Sequence, residues 1–227
     1  MVARKPGRLR RRLKASARRH PNRNLAERLV AAAMALLAII PPQALSLRSV
    51  AKAAGVSEAA PYHHFADKRA LEAAIMAEGY RQLATMLEAT AVAGPDGLNA
   101  VLRAYVAFAL SQPNLFRLMR REASAEDDPP DPALAEAQER AFAVFYTSLA
   151  ATLGHPPPLA DARLAWSALR ATVATLVVGG TTEPDAIVRF MQAALPAGVD
   201  ALTPGAQEIV PGISASRGSG TARPAAG

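Results

Sequence analysis

Apolar residues recur at three- and four-residue intervals along most of the chain, the period of a helix with one buried face, and no strand-like alternation interrupts them. Leu25, Leu29, Ala32, Leu36, Leu37 and Ile40 form the first such stripe, and Pro41-Pro42 stops it. Ser46 is placed to cap a short second helix, with Leu47, Val50, Ala51 and Ala54 on one side and Arg48 and Lys52 on the other. Gly55 ends that helix, because glycine enters the left-handed turn conformation without steric cost, and Val56 follows as a buried plug. Ser57 caps a third helix to about His64, and Asp67 caps a long fourth towards Thr90. After a break at Gly94-Pro95-Asp96-Gly97 the pattern predicts helices over about Leu98–Leu110, a brief one capped by Asn114 with Phe116, Leu118 and Met119, then Pro132–Leu153, Leu159–Val178 and Pro184–Leu195. An acidic, proline-rich loop from Glu126 to Pro132 separates two of them. The fold class expected is all-α, with about nine helices.

Composition agrees. Aromatics are 5% with one tryptophan, so a chain that is 51% hydrophobic must build its core from Ala, Leu and Val, which favours helices. The absence of cysteine excludes disulfide scaffolds, thiolate metal sites and cysteine nucleophiles. The net charge of +7 is unevenly spread: residues 1–23 carry Arg4, Lys5, Arg8, Arg10, Arg11, Arg12, Lys14, Arg18, Arg19 and Arg23 with no acid, which leaves −3 on the remainder. Such a block repels itself and is expected to be a disordered arm for a polyanion. Basic residues before the uncharged run Leu29–Ile40 mimic an export signal, but Glu27 and the helical period argue against one, and a cytoplasmic protein is expected. Ala141–Ala160 is uncharged yet broken at Gly154 and Pro156-Pro157-Pro158, too early to span a bilayer. Residues 196–227, with four prolines, six glycines and no aromatic, read as a disordered tail.

Ser46 to His64 reads as helix, glycine turn, helix: the helix-turn-helix unit, whose second helix enters the major groove. The segment from Leu45 to Leu71, with its Gly55-Val56-Ser57 turn, its Tyr62-His63-His64-Phe65 cluster and its Asp67-Lys68-Arg69-Ala70-Leu71 helix start, resembles the DNA-binding domain of the TetR family of bacterial transcriptional regulators. That resemblance implies a basic arm over 1–23, a DNA-binding domain over 24–70, a helical regulatory and dimerisation domain over 71–195, and the tail. It also implies phosphate contacts from Ser46, Arg48, Tyr62, His63 and Lys68. Phe65 and Leu71 belong to the core. Base reading falls to the start of the recognition helix, at Ser57, Glu58, Ala59 and Ala60, where Glu58 can accept from a cytosine amino group and Ala60 can touch a thymine methyl. Pro61 removes an early helical hydrogen bond and disfavours helical geometry at Ala60, so a tight or distorted first turn is expected. His63 and His64 are adjacent on a helix and cannot form the i, i+4 pair that binds metal, and no metal site or cofactor is expected.

For the body, the resemblance implies an effector cavity and a four-helix interface between two copies built from Leu159–Val178 and Pro184–Leu195. The former is rich in small residues (Ala162, Ala165, Ala168, Ala171, Ala174) that permit close approach. Trp166 matches a TetR subgroup with tryptophan, then histidine and glycine, in this helix, although Arg170 and Ala171 stand where histidine and glycine are expected. Candidate effector-lining residues are Tyr105, Phe108, Phe116, Met119, Phe142, Phe145, Tyr146, Trp166 and Arg170, and an inward Arg170 needs a compensating partner. The implied function is a homodimeric, effector-responsive regulator of operator DNA, most simply a repressor. The alternatives are a constitutive helix-turn-helix binder without effector and, more remotely, a helical enzyme or carrier. No catalytic constellation supports an enzyme: there is no nucleophile–base pair and no phosphate loop, and Gly179-Gly180 fits no glycine-rich fingerprint.

Overall fold

Seven α-helices and two short 3₁₀ turns account for nearly all of the chain that the computed structural model describes, namely residues 21–91, 96–120 and 131–178, with 183, 185 and 187–189. The arm over 1–20, the acidic stretch over 121–130, the Gly94-Pro95 break, most of Pro184–Leu195 and the tail lie outside the described residues. Among the described residues there is no strand, and no helix is long and apolar enough to cross a membrane.

Helix α1 (Pro21–Leu37) buries Leu29, Ala33 and Leu37, with Leu25, Ala32, Leu36 and Ile40 partly buried beside them. A 3₁₀ turn at Pro42–Ala44 leads to α2 (Leu47–Ala54), and a second at Ala60–His63 leads to α3 (Lys68–Thr90). Asp67 caps α3 as its sequence position predicts, its carboxylate accepting from the Ala70 amide at 2.8 Å. Helices α4 (Gly97–Ser111) and α5 (Pro113–Arg120) follow, then α6 (Pro132–Leu153) and α7 (Leu159–Val178), both with the bounds read from the sequence. Asp131 caps α6 by accepting from the Ala133 and Leu134 amides at 2.9 and 3.0 Å, and Pro132 sits in the first turn, where its missing N–H costs nothing.

Long α3 runs through the centre of this arrangement. Its buried side chains include Leu71, Ile75, Tyr80, Leu83 and Leu87, distributed around the helix rather than along one stripe. It packs against α1 at one end and against α4, α5 and α6 along its length, and the α3–α6 pair is the most extensive in the fold. Gly79 lets α5 approach closely, since a Cβ there would stand 2.8 Å from Met119 Sδ and 3.2 Å from Leu115. At the rim of the α3–α6 pair, Arg140 Nε donates to Glu88 Oε1 at 2.7 Å. That hydrogen bond holds the Glu88 carboxyl below its ordinary pKa. Whatever the pair adds to stability is therefore present at neutral pH and is lost on acidification through that lowered value.

Asn114 departs from its expected role. Helix α5 begins at Pro113, so Asn114 lies inside the first turn rather than capping it. Its amide instead donates to the Leu37 carbonyl at 2.9 Å, satisfying the last turn of α1 from a helix 77 residues away. Proline, already fixed near helical φ, serves as the first residue, and the longer-range acceptor takes the side chain.

Deleting the Leu29 side chain, which is fully buried between α1 and the rest of the core, should lower the unfolding free energy by about 2–5 kcal/mol. Asn114→Ala removes one hydrogen bond and should cost about 1 kcal/mol. Urea denaturation of both variants checks the ranking.

Candidate nucleic-acid interface and regulatory core

Local hydrogen bonds shape the helix-turn-helix before tertiary packing begins. Ser46 Oγ accepts from the Ser49 amide at 3.1 Å, and the Ser46 amide donates back to Ser49 Oγ at 3.0 Å, a reciprocal box with serine at both ends. Gly55 takes φ 67°, so its amide reaches back to the Ala51 and Lys52 carbonyls. Arg28 of α1 donates to the Ala54 carbonyl at 3.1 Å, placing a cation at the negative end of α2. Arg28 was not singled out by sequence; a cation one helix away from a C-terminus carries no local signal.

The third helix expected from Ser57 to His64 is a correction. The chain forms only a 3₁₀ turn over Ala60–His63, and no side chain caps it. The cause is Pro61, which has no N–H to donate back to Ser57. Ala60 to Ser57 (3.0 Å), Tyr62 to Ala59 (3.2 Å) and His64 to Pro61 (3.0 Å) each span three residues, and one four-residue bond, from the Phe65 amide to the Pro61 carbonyl at 2.9 Å, closes the segment. The distorted turn expected at Ala60-Pro61 thus extends through the whole segment. Val56, expected as a buried plug, is only half-buried.

The nine residues assigned to DNA divide into three groups. Ser57, Glu58, Ala59, Tyr62 and His63 are exposed on the turn, and Tyr62 keeps 60% of its surface open while its neighbour Phe65 is in the core. A tyrosine that is not packed presents an aromatic face and a hydroxyl to whatever docks here. Ser46 and Arg48 are exposed on α2, but Ser46 already bonds Ser49 and Arg48 already bonds Glu58, Nε to Oε1 at 2.8 Å. Ala60 and Lys68 are half-buried. The Lys68 ammonium sits 3.6 Å from Glu72 and 3.5 Å from the Pro42 and Gln43 carbonyls, so its charge is partly spent inside the fold. The Arg48–Glu58 and Lys68–Pro42 contacts join residues 10 and 26 positions apart, beyond local pattern, whereas Lys68–Glu72 and Ser46–Ser49 are i, i+4 and i, i+3 pairs already present in the spacing.

The candidate effector residues come together in the body. Tyr105 meets Trp166 edge-on (ring centroids 5.4 Å) and Phe116 likewise (5.9 Å), while Phe142 and Phe145 lie 6.3 and 5.1 Å from Trp166. Phe108 and Met119 are buried, and the half-buried Tyr146 donates its hydroxyl to the Pro157 carbonyl at 3.1 Å. Arg170 is half-buried with its guanidinium 5.9 Å from the Tyr80 ring, which puts a π face near its charge. A cleft of about 540 Å³ lies elsewhere, between α1, α3 and the start of α6, with Val30, Met34, Phe65 and Ala77 in its wall. None of the sequence-assigned effector residues lines it. The alanines of α7 divide between two faces: Ala162, Ala165 and Ala174 are buried in the body, whereas Ala168 and Ala171 are exposed.

Residues 29–75 match the family model for bacterial regulatory proteins of the tetR family, and residues 98–196 match that for the tetracyclin-repressor-like C-terminal domain. Among solved structures, a protein of unknown function from Rhodococcus sp. RHA1 is 29% identical, with a TM-score of 0.58 over 81% of this chain and 98% of that one. The regulator FadR from Bacillus subtilis, solved with stearoyl-CoA, is 18% identical, with a TM-score of 0.57 over 78% of this chain and 98% of that one. LfrR from Mycobacterium smegmatis, solved with proflavine, is 20% identical, with a TM-score of 0.54 over 76% and 94%. These last two are likenesses of fold. No curated protein matches the sequence.

The exposure difference within the turn predicts opposite behaviour for neighbouring aromatics. Tyr62→Ala should change stability by no more than about 0.5 kcal/mol, whereas Phe65→Ala, at 7% exposure, should cost about 3–5 kcal/mol. Thermal unfolding of the two variants is the measurement.

Proposed function

Given that the chain belongs to the TetR family of bacterial regulatory proteins and is a DNA-binding regulator of transcription, we propose that it is a homodimeric cytoplasmic repressor released from its operator by a small molecule. The observation that carries the DNA-binding half of this reading is the capped α2, the Gly55 turn and the exposed Tyr62 within a segment matching the family's DNA-binding model. Tyr62, His63, Arg48, Ser46 and Lys68 position the phosphates; Glu58, Ala59 and Ser57 face base edges, with Ala60 half-withdrawn behind them. The ten basic side chains over 1–23, of which Arg23 falls within the first turn of α1 and not in an arm, add a sequence-independent attraction for the backbone or an adjacent minor groove.

The dimer is argued from α7. Leu164, Ala168, Ala171 and Thr175 are all exposed and lie three or four residues apart, an uncharged stripe on the face turned away from the protomer's own core. Leu164 keeps 55% of its surface open and, with the small residues beside it, makes this uncharged face a contiguous surface for a second copy. Two copies joined there place two recognition turns on one DNA duplex.

The effector half rests on the aromatic cluster around Trp166, an apolar core that an apolar ligand enters by displacing ring contacts. Trp166 also supports the tryptophan–histidine–glycine subgroup, against which Arg170 and Ala171 stand. The tight mutual packing of these rings favours the second reading, a constitutive binder without effector.

Titration of the DNA upstream of the chain's own gene against random duplex of equal length, at fixed salt, tests operator recognition; equal affinity for the two refutes it. Lys68→Ala should flatten the salt slope by about one phosphate contact, and Tyr62→Ala should weaken binding across sequences with the slope unchanged. Leu164→Arg should give a monomer in analytical ultracentrifugation and weaken operator binding at least about tenfold. Because Trp166 is the only tryptophan and is buried, its emission reports the cluster directly. An effector should shift that emission and release DNA over the same concentration range, and DNA release without any change in emission refutes the placement of the site.

A further inference from the structure

Arg48 and Glu58 form an ion pair whose position is hard to explain by folding. Arg48 Nε donates to Glu58 Oε1 at 2.8 Å, and the two side chains are 77% and 64% exposed. Pairs this open contribute little to stability, because water and salt screen them and both side chains lose freedom. The pair nevertheless bridges the two halves of the helix-turn-helix: Arg48 stands in the first turn of α2, and Glu58 at the entry to the Ala60–His63 turn. An acid at that entry faces a polyanion in any complex with DNA, and uncompensated it opposes binding.

The contact is single-toothed. It uses the inner guanidinium nitrogen and one carboxylate oxygen, so the two terminal nitrogens of Arg48 and Glu58 Oε2 make no hydrogen bond among the described residues. Those unused atoms match the two kinds of group that DNA presents. A phosphate accepts from the terminal nitrogens of an arginine, and a cytosine amino group donates to a carboxylate oxygen.

We propose that Arg48 and Glu58 act as one coupled reader, an inference that rests on the DNA-binding reading above. Arg48 cancels the charge that otherwise keeps Glu58 away from the duplex and takes a phosphate with its terminal nitrogens. Glu58 Oε2 accepts from the amino group of a cytosine in the major groove. At any other base pair the carboxylate meets acceptors, a thymine methyl, or an adenine amino group flanked by the N7 acceptor, and it stays an unpaired charge. Glu58 therefore selects mainly by rejecting wrong sequences rather than by adding affinity. The short side chains at Ala59 and Ala60 leave little else on the turn to discriminate bases.

The test uses the full chain as wild type, Arg48→Ala, Glu58→Ala and the double variant, all at exposed positions. Each is titrated by anisotropy against random-sequence duplex over a range of salt, and each is used to select from a randomised duplex pool. Wild type should select C·G at one position in each half-site. Glu58→Ala should lose that preference while changing random-duplex affinity by less than about twofold, since Arg48 already cancels its charge. Arg48→Ala should weaken random-duplex binding about tenfold or more and lower the salt slope by about one. The double variant should bind random duplex about three- to tenfold more tightly than Arg48→Ala while keeping its lowered salt slope, because the acid then left uncompensated is gone but the phosphate contact stays lost. Effects of the two substitutions that add independently in the double variant, or a C·G preference that survives in Glu58→Ala, overturn the coupled reader while operator recognition stands. A wild-type chain that selects no sequence overturns both.

Discussion

The packing of α3 into both the helix-turn-helix and the body, along all but the exposed face that carries Arg81, Gln82, Thr85, Glu88 and Ala89, is the constraint on which the rest of the molecule depends. Its first turn, capped by Asp67, closes the helix-turn-helix, and its later turns carry Tyr80, Leu83 and Leu87 into the body. A helix spanning two packing environments without a break transmits displacement as a rigid rod, because its backbone hydrogen bonds are all internal. Tyr80 sits near the Arg170 guanidinium of α7, Gly79 brings α5 close, and Leu71 anchors the DNA-facing end. Any rearrangement around Trp166 that moves α3 therefore reaches the turn carrying Tyr62, which is the physical route the proposed effector response requires.

The DNA-facing unit shows how a few local rules settle a surface. Serine at both ends of a capping box fixes the start of α2, and glycine in the left-handed region fixes its end. Proline at position 61 then prevents a regular helix, and the tight turn that results turns Tyr62 and His63 outward while Pro61 and Phe65 go inward. The same turn brings Glu58 within reach of Arg48, so the backbone distortion and the ion pair are parts of one arrangement.

In the body, the same residue types serve two purposes that composition does not separate. Alanine in α7 is a core filler at Ala162 and Ala174 and a surface residue at Ala168 and Ala171. The aromatic residues nominated for an effector do gather, but around one another and Trp166. Their assembly follows from periodicity, since each lies on the inner face of its own helix, and what they enclose is a question of packing between helices.

The sequence by itself determined the helical class, the ends of α3, α6 and α7, and the glycine-ended second helix. Each depends on interactions within a few residues: a cap, a proline, a glycine, an apolar period. Distance along the chain is what put the remainder out of reach. Asn114 reads as a cap until the Leu37 carbonyl is brought beside it; Lys68 reads as a cation paired at most with Glu72 one turn on until the Pro42 and Gln43 carbonyls meet it; Arg48 and Glu58 read as separate contacts until the Gly55 turn folds them together. Only the tertiary structure decided which polar groups were already spent, because a hydrogen bond or ion pair has a range of a few ångströms in space and no fixed range in sequence.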